Sequence, residues 1–316
     1  MSMADALIVV PDDFPSVFEG SAAHERARRF GAVRVCGERG ADAAAELARR
    51  IGGATVAVNI RAYAPFTDAV FAACPDLRMV SIWGVGTDNI DLESAARRGV
   101  TVCNTPGANA IAVAEHALAL MLAVARKIPQ IDRGMRAGDW PRDMLGQLHG
   151  KTLGVFGTGA IGTQVAKLAR AFGMTVVEWS ARRNTDGERD DILRRADFVS
   201  LHVRLTPHTR GFIGVREFAL MKSGAILINT GRGALVDRDA LHDVLAHQRI
   251  AGAGLDVFHD EPLKAGDPLL GFANTVLSPH NAGQTPEVRR DGLLLTIENV
   301  ERFLAGSPQN VVGPNA

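Results

Sequence analysis

The chain has 316 residues, 47% hydrophobic and 22% charged, with Lys+Arg 35 against Asp+Glu 35. That apolar share fills cores and excludes bulk disorder, and the length suits two domains of about 150 residues. A formal net charge of zero argues against a nucleic-acid or membrane-surface protein, whose basic face would tilt the count.

The start, "MSMADALIVVPDD", has no basic leader, and its apolar run "ALIVV" is of strand length. Strands follow at "VRVC", "TVAVNI", "MVSIW" and "VTVCN", with "SAAHERARRF" and "ADAAAELARRIG" reading as helices between them. The longest apolar stretch, "NAIAVAEHALALMLAVAR" (109–126), is alanine-rich and contains Glu115 and His116, so it predicts a buried helix and not a membrane span. A second series of strands runs through "TLGVFG", "MTVVEW", "FVSLHV", "AILINT", "IAGAGLDV" and "TVLSPH". The chain closes in a helix, "TPEVRRDGLLLTIENVERFLAG", and a polar tail. Short apolar strands alternating with amphipathic helices predict an α/β protein with parallel sheets and crossover helices. Cys36, Cys74 and Cys103 have neither CxxC spacing nor an even count, which reads as buried reduced thiols of a cytoplasmic protein.

Gly157, Gly159 and Gly162 fall in a G-x-G-x-x-G pattern between the strand "TLGVF" and the helix "TQVAKLARAFG", the context that makes it a dinucleotide fingerprint. Gly157 permits the tight turn, Gly159 the approach of a pyrophosphate, and Gly162 close helix–strand packing. The amides of Ala160 and Ile161, at the helix N-terminus, are the donors best placed for phosphate oxygens. The acid that would hold an adenosine ribose, about 20 positions on, is replaced by Ser180, with Arg182 and Arg183 behind it. Serine does not repel a 2′-phosphate, and either arginine can pair with one, so the cofactor is NAD(P), leaning to NADP(H). Glu178, two residues earlier, lies too deep to replace the missing acid.

Further polar residues stand at strand ends, where ligand crevices of parallel sheets lie. "LINTGRGALVD" carries Thr230, Gly231 and Arg232; "GAGLDVFHDEP" carries Asp256 and Glu261; "TVLSPHNAGQT" carries His280. A histidine beside a carboxylate is a proton donor suited to a developing alkoxide, and arginine pairs bidentately with a carboxylate. No spacing suggests a metal site. His116 reads as a core or interface residue and His202 as support for the cofactor pocket, while His208, His242, His247 and His259 read as exposed. Arg61 and Tyr63, after "TVAVNI", are candidates for the pocket wall or plain loop residues.

With "GVGTDNIDL" (84–92), "NTPGANAIAVAEHALALML" (104–122) and "SLHVRLTPHTRGFIG" (200–214), these motifs resemble, in order and over nearly the whole chain, the NAD(P)-dependent D-2-hydroxyacid dehydrogenases. The resemblance implies two Rossmann-like or flavodoxin-like domains, with the active site in the interdomain cleft. Residues 1–103 plus 284–316 would form a discontinuous substrate-binding domain and 104–283 the NAD(P)-binding domain. Two consecutive domains, breaking near 105 or 150, are the alternative arrangement. It further implies that Arg232 binds the substrate carboxylate, His280 is the acid–base and Glu261 orients it. Asp256 would bond the nicotinamide carboxamide, the backbone of Val85 and Gly86 would hold the substrate carboxylate, and Thr206 would lie near the adenosine. Thr230 and Gly231 would lie near the nicotinamide.

The expected activity is hydride transfer between NAD(P)H and a small 2-oxoacid, as in glyoxylate/hydroxypyruvate reductases, by a homodimer. A phosphoglycerate dehydrogenase-type enzyme, or a nucleotide-sensing binding protein like the corepressors of this fold, are the alternatives. Glu261 counts against the formate dehydrogenase branch, which has glutamine there, and Val85 against phosphonate dehydrogenases, which have lysine. After the last helix there is no room for the regulatory domain of long phosphoglycerate dehydrogenases.

Overall fold

A computed structural model of the chain describes residues 6–61 and 63–314. The residues before Ala6, on which the reading of a missing leader rests, lie outside it. By internal contacts the chain forms two compact units, the described parts of Met1–Asn109 with Gln284–Ala316, and Ala110–Gly283.

The first unit runs β1 (Ala6–Val10), α1 (Ala22–Ala27), β2 (Gly31–Val35), α2 (Ala44–Ile51), β3 (Val56–Asn59), α3 (Asp68–Ala73), β4 (Met79–Ile82), α4 (Leu92–Arg97) and β5 (Thr101–Cys103). The second runs α5 (Ala110–Ala125), α6 (Ile128–Ala137), β6 (Thr152–Phe156), α7 (Ala160–Ala171), β7 (Thr175–Trp179), α8 (Asp186–Arg195), β8 (Phe198–Leu201), α9 (Val215–Leu220), β9 (Ile226–Asn229), α10 (Arg238–Ala246), β10 (Gly252–Leu255) and β11 (Thr275–Leu277). The long α11 (Pro286–Leu304) returns to the first unit.

The first sheet is parallel, in the order β2-β1-β3-β4-β5. Successive strand residues alternate between faces, so neighbouring side chains enter different cores. Ile8 and Val10 of β1 pack with α1 and α11, through Ala23, Ala27, Leu293, Ile297 and Val300. Val9 packs into the opposite core, with Leu47, Ile51, Val70 and Phe71 from α2 and α3. Polar bonds fix the seat of α11: Ser81 Oγ donates to the Thr296 carbonyl (2.9 Å) and Asn299 Nδ2 to the Asn104 carbonyl (2.8 Å). Gly292 lets Trp83 lie against the helix, at a place where a Cβ would strike the indole.

The second sheet is also parallel, in the order β11-β10-β9-β8-β6-β7. Helices α5 and α7 cover one face and α8, α9 and α10 the other. Its connectivity reverses between β6 and β8, the switch point at which open sheets of this kind leave a crevice beyond their strand ends. The continuous apolar runs of these strands follow from burial on both faces.

The apolar stretch 109–126 forms α5, and left-handed Lys127 (φ 50) separates it from α6, which has Pro129 in its first turn. Among the described residues no helix is long and apolar enough to cross a membrane.

Candidate active site

The connection between β6 and α7 is the fingerprint itself. Gly157 is left-handed (φ 105), and a Cβ there would strike the His202 backbone. A Cβ on Gly162 would collide with the Gly157 carbonyl and lie 3.3 Å from Val155 Cγ1. At Gly159, the N-cap of α7, an added Cβ would meet nothing within 4 Å. Two glycines therefore close the turn, while the third faces open space at the helix end. No acidic residue neutralises the first turn of α7, which presents the amides of Ala160 and Ile161. That cradle fits a dinucleotide pyrophosphate.

Beyond β7 the chain turns on Ser180, whose carbonyl accepts from the amides of Arg183 and Asn184 (both 2.9 Å). Asn184 Oδ1 accepts in return from the Ser180 amide (2.9 Å). Arg182 and Arg183 are exposed, and Arg183 Nη2 donates to Thr158 Oγ1 in the glycine loop (2.7 Å). The guanidinium of Arg183 is thereby held beside the cradle. Glu178 pairs with Arg170.

The ends of β8, β9, β10 and β11 carry the remaining residues of the second unit. Thr206 lies in the loop after β8, bonded to the Thr209 hydroxyl through both its amide (2.8 Å) and its own hydroxyl (3.1 Å). After β9, Asn229 folds the turn: its Oδ1 accepts from the Gly231 amide (3.0 Å) and its Nδ2 donates to the Arg232 carbonyl (2.9 Å). Thr230 is buried, with a hydroxyl that has no partner, and half-buried Arg232 donates to the Gly231 carbonyl (2.9 Å). An orphan hydroxyl at this rim suits the polar end of a bound cofactor.

Glu261 and His280 meet across the rim, with His280 Nδ1 2.6 Å from Glu261 Oε2. The other oxygen, Oε1, accepts from the Phe258 amide (3.0 Å). Burial alone would raise the Glu261 carboxyl. The hydrogen bonds from His280 and the Phe258 amide, with the charges of His280 and Arg232, outweigh it and hold the group below its ordinary 4.5. With Nδ1 engaged by the carboxylate, Nε2 is the imidazole atom left for chemistry.

Asp256, expected to bond the nicotinamide carboxamide, stands at the end of β10. It is 0% exposed, and its oxygens accept from Ser278 Oγ (2.6 Å), the Asn281 amide (3.0 Å) and the Ala282 amide (2.9 Å). Its carboxylate thereby shapes the loop that carries His280.

His116 and Ser278, which the sequence reading did not place at the site, join this loop: His116 Nε2 lies 2.8 Å from Ser278 Oγ. The signal available beforehand was a lone Asp closing an apolar strand, which demands buried donors. His202 bonds Ser200 (2.8 Å), and burial drives its imidazole down to about 4, so it is neutral beside the fingerprint. His242, expected to be exposed, is half-buried, edge-on to Phe272 and 3.7 Å from Asp267. The other three read as exposed, His208, His247 and His259, are so.

Val85 and Gly86 lie in the first unit, in the loop after β4. Thr105 Oγ1 accepts from the Gly84 amide (2.8 Å), and Asn104 Nδ2 donates to the Val85 carbonyl (2.9 Å). Arg61 donates to the Pro15 carbonyl and Arg39 stacks 5.0 Å from the Tyr63 ring, so both pocket-wall candidates are tied to neighbouring loops. Among the described residues no group of three or more His, Cys, Asp or Glu is arranged to hold a metal ion.

Residues 118–282 match the family described as "D-isomer specific 2-hydroxyacid dehydrogenase, NAD binding domain". The chain is 43% identical to a glyoxylate reductase of Aeropyrum pernix, over 79% of this chain and 82% of that protein. It is 40% identical to a D-3-phosphoglycerate dehydrogenase of Methanocaldococcus jannaschii, over 85% of this chain but 54% of that one. Among solved structures, an acyclic imino acid reductase in complex with NADPH and D-Arg superposes with a TM-score of 0.89 at 31% identity, over 97% of this chain and 99% of that one. Fingerprint, strand order and relatives agree, and the chain belongs to the D-isomer specific 2-hydroxyacid dehydrogenase family.

Proposed function

We propose that this dehydrogenase is an NADPH-preferring reductase of small 2-oxoacids such as glyoxylate and hydroxypyruvate. The observation that carries the reading is the 2.6 Å His280–Glu261 pair, with Arg232 close enough for its charge to act on the same carboxylate. The glyoxylate reductase relative supports the substrate class, and the NADPH complex of the imino acid reductase supports the cofactor.

Bound NADPH supplies the hydride. The glycine cradle with the Ala160 and Ile161 amides holds the pyrophosphate, and Thr206 lies toward the adenosine. Thr230 and Gly231 lie toward the nicotinamide. Ser180, Arg182 and Arg183 receive the 2′-phosphate. Arg232 clamps the substrate carboxylate bidentately. His280 gives the proton on Nε2 to the carbonyl oxygen as negative charge develops there. Glu261 fixes the ring through Nδ1, and in the reverse direction Nε2 takes the proton back.

Ile128 and Met135 on α6, and Trp140 and Met144 after it, are exposed apolar side chains, and there we place the contact of a homodimer. Cysteines that form no disulfide fit a reducing compartment, the cytoplasm.

The test is oxidation of NADPH and NADH with glyoxylate, hydroxypyruvate, pyruvate and phenylpyruvate, in wild type and His280→Ala. The reading expects turnover that His280→Ala lowers by about 10²- to 10⁴-fold while cofactor affinity stays within about twofold. Dinucleotide binding without turnover on any of the four would replace it with a nucleotide-sensing role.

A further inference from the structure

The backbone at His280 is left-handed (φ 52), a conformation unfavourable for a non-glycine residue that persists only where the surroundings enforce it. The enforcing residue is Asp256. Its backbone carbonyl accepts from the His280 amide (2.7 Å), and its carboxylate from Ser278 Oγ, the Asn281 amide and the Ala282 amide. Bonds from both sides of His280 thus converge on one buried residue at the end of β10.

The proton positions follow from that set. The Ser278 hydroxyl gives its single proton to Asp256 Oδ1, at 2.6 Å. The lone pairs of Ser278 Oγ then face His116 Nε2 at 2.8 Å, which must carry hydrogen on that nitrogen. His116 Nε2 also lies 3.5 Å from Asp256 Oδ1. His116 stands on α5, 162 residues from Ser278 in sequence, in a helix that packs on β9, β10 and β11.

We infer that His116 and Ser278 are positioning residues, a relay from α5 that fixes the Asp256 carboxylate and, through it, the conformation of the His280 loop. The inference rests on reading His280 as the acid–base. Without the donor on His116, the Ser278 hydroxyl is free to turn from Oδ1, and the loop loses the contact that fixes its entry. His280 then drifts from Glu261, and a displacement of about 1 Å from the productive geometry is enough to cost on the order of a hundredfold in rate.

His116→Ala, Ser278→Ala and His116→Gln are compared with wild type in the full-length enzyme. The Gln side chain presents an N–H near the position of Nε2, so it tests the donor and not the ring. Amide hydrogen exchange at Asn281 and Ala282 reads loop order with no substrate present. It is expected to rise by about tenfold or more in both Ala variants and to return toward wild type in His116→Gln. In parallel, kcat/KM is expected to fall between about tenfold and a hundredfold in the Ala variants. The low-pH limb of its profile should also move upward. Glu261, faced by His280 and Arg232, titrates below 4.5 while the pair is intact and relaxes toward 4.5 as it loosens.

Unchanged exchange in both Ala variants overturns the inference, whatever the activity. So does a fall in kcat/KM with the low-pH limb in place, or a Gln variant as impaired as Ala. A wild-type enzyme without 2-oxoacid turnover overturns the functional reading instead, and the exchange data still decide the relay.

Discussion

Ser180 sets the charge at the point where an adenosine ribose would meet the protein. Its amide and carbonyl are held in a turn with Asn184 and Arg183, so the side chain, not the backbone, is the free variable there. An aspartate would accept from two ribose hydroxyls and repel a 2′-phosphate. Ser180→Asp is therefore expected to lower the NADPH/NADH ratio of kcat/KM by about 10- to 100-fold, or about 1.4–2.8 kcal/mol. A ratio within twofold of wild type, with both cofactors still turned over, would remove Ser180 from cofactor selection. Arg183 is anchored on Thr158, in the glycine loop itself. On the proposed reading it is the cation that meets the 2′-phosphate, and selector and cradle are then one structure.

At the scale of elements, the turn from β6 into α7 works because Gly162 lets the helix lie directly against the Gly157 carbonyl. Gly162→Ala inserts a methyl group where backbone already stands, and overpacking of this kind costs about 1–3 kcal/mol. Because the displaced backbone is the cradle, cofactor affinity is expected to fall with stability, read by dinucleotide titration and thermal melts. A variant with wild-type affinity would mean that the turn relaxes without moving the phosphate donors. This element was legible in the sequence because glycine spacing reports backbone contact directly. The strands were legible for a related reason: burial on both faces leaves continuous apolar runs such as "ILIN". Helices α3, α4 and α9, six residues each, complete less than two turns and were not singled out, while the equally short α1 was legible only through the longer stretch "SAAHERARRF". The role of Asp256 was legible only as an acid at a strand end. Its partners Ser278 and His116 lie 22 and 140 residues away and depend on the order of strands in the sheet.

At the scale of the molecule, the two units hold different parts of the chemistry. The dinucleotide cradle and the Arg232, Glu261 and His280 set belong to the second, while α11 completes the core of the first. Ile297 is fully buried among Ile8, Val10, Val56 and Met79, so Ile297→Ala leaves a cavity expected to cost about 2–5 kcal/mol. A dinucleotide at a hundred times its Kd adds about 2.7 kcal/mol to whichever unit binds it. If the units unfold separately, calorimetry of Ile297→Ala shows an early transition indifferent to NADPH. A later one rises with NADPH as in wild type. The early transition is assigned to the first unit, in whose core Ile297 is buried. One transition, lowered by the mutation and raised by NADPH together, would instead mean that α11 stabilises the cradle, because loss of either unit then unfolds both.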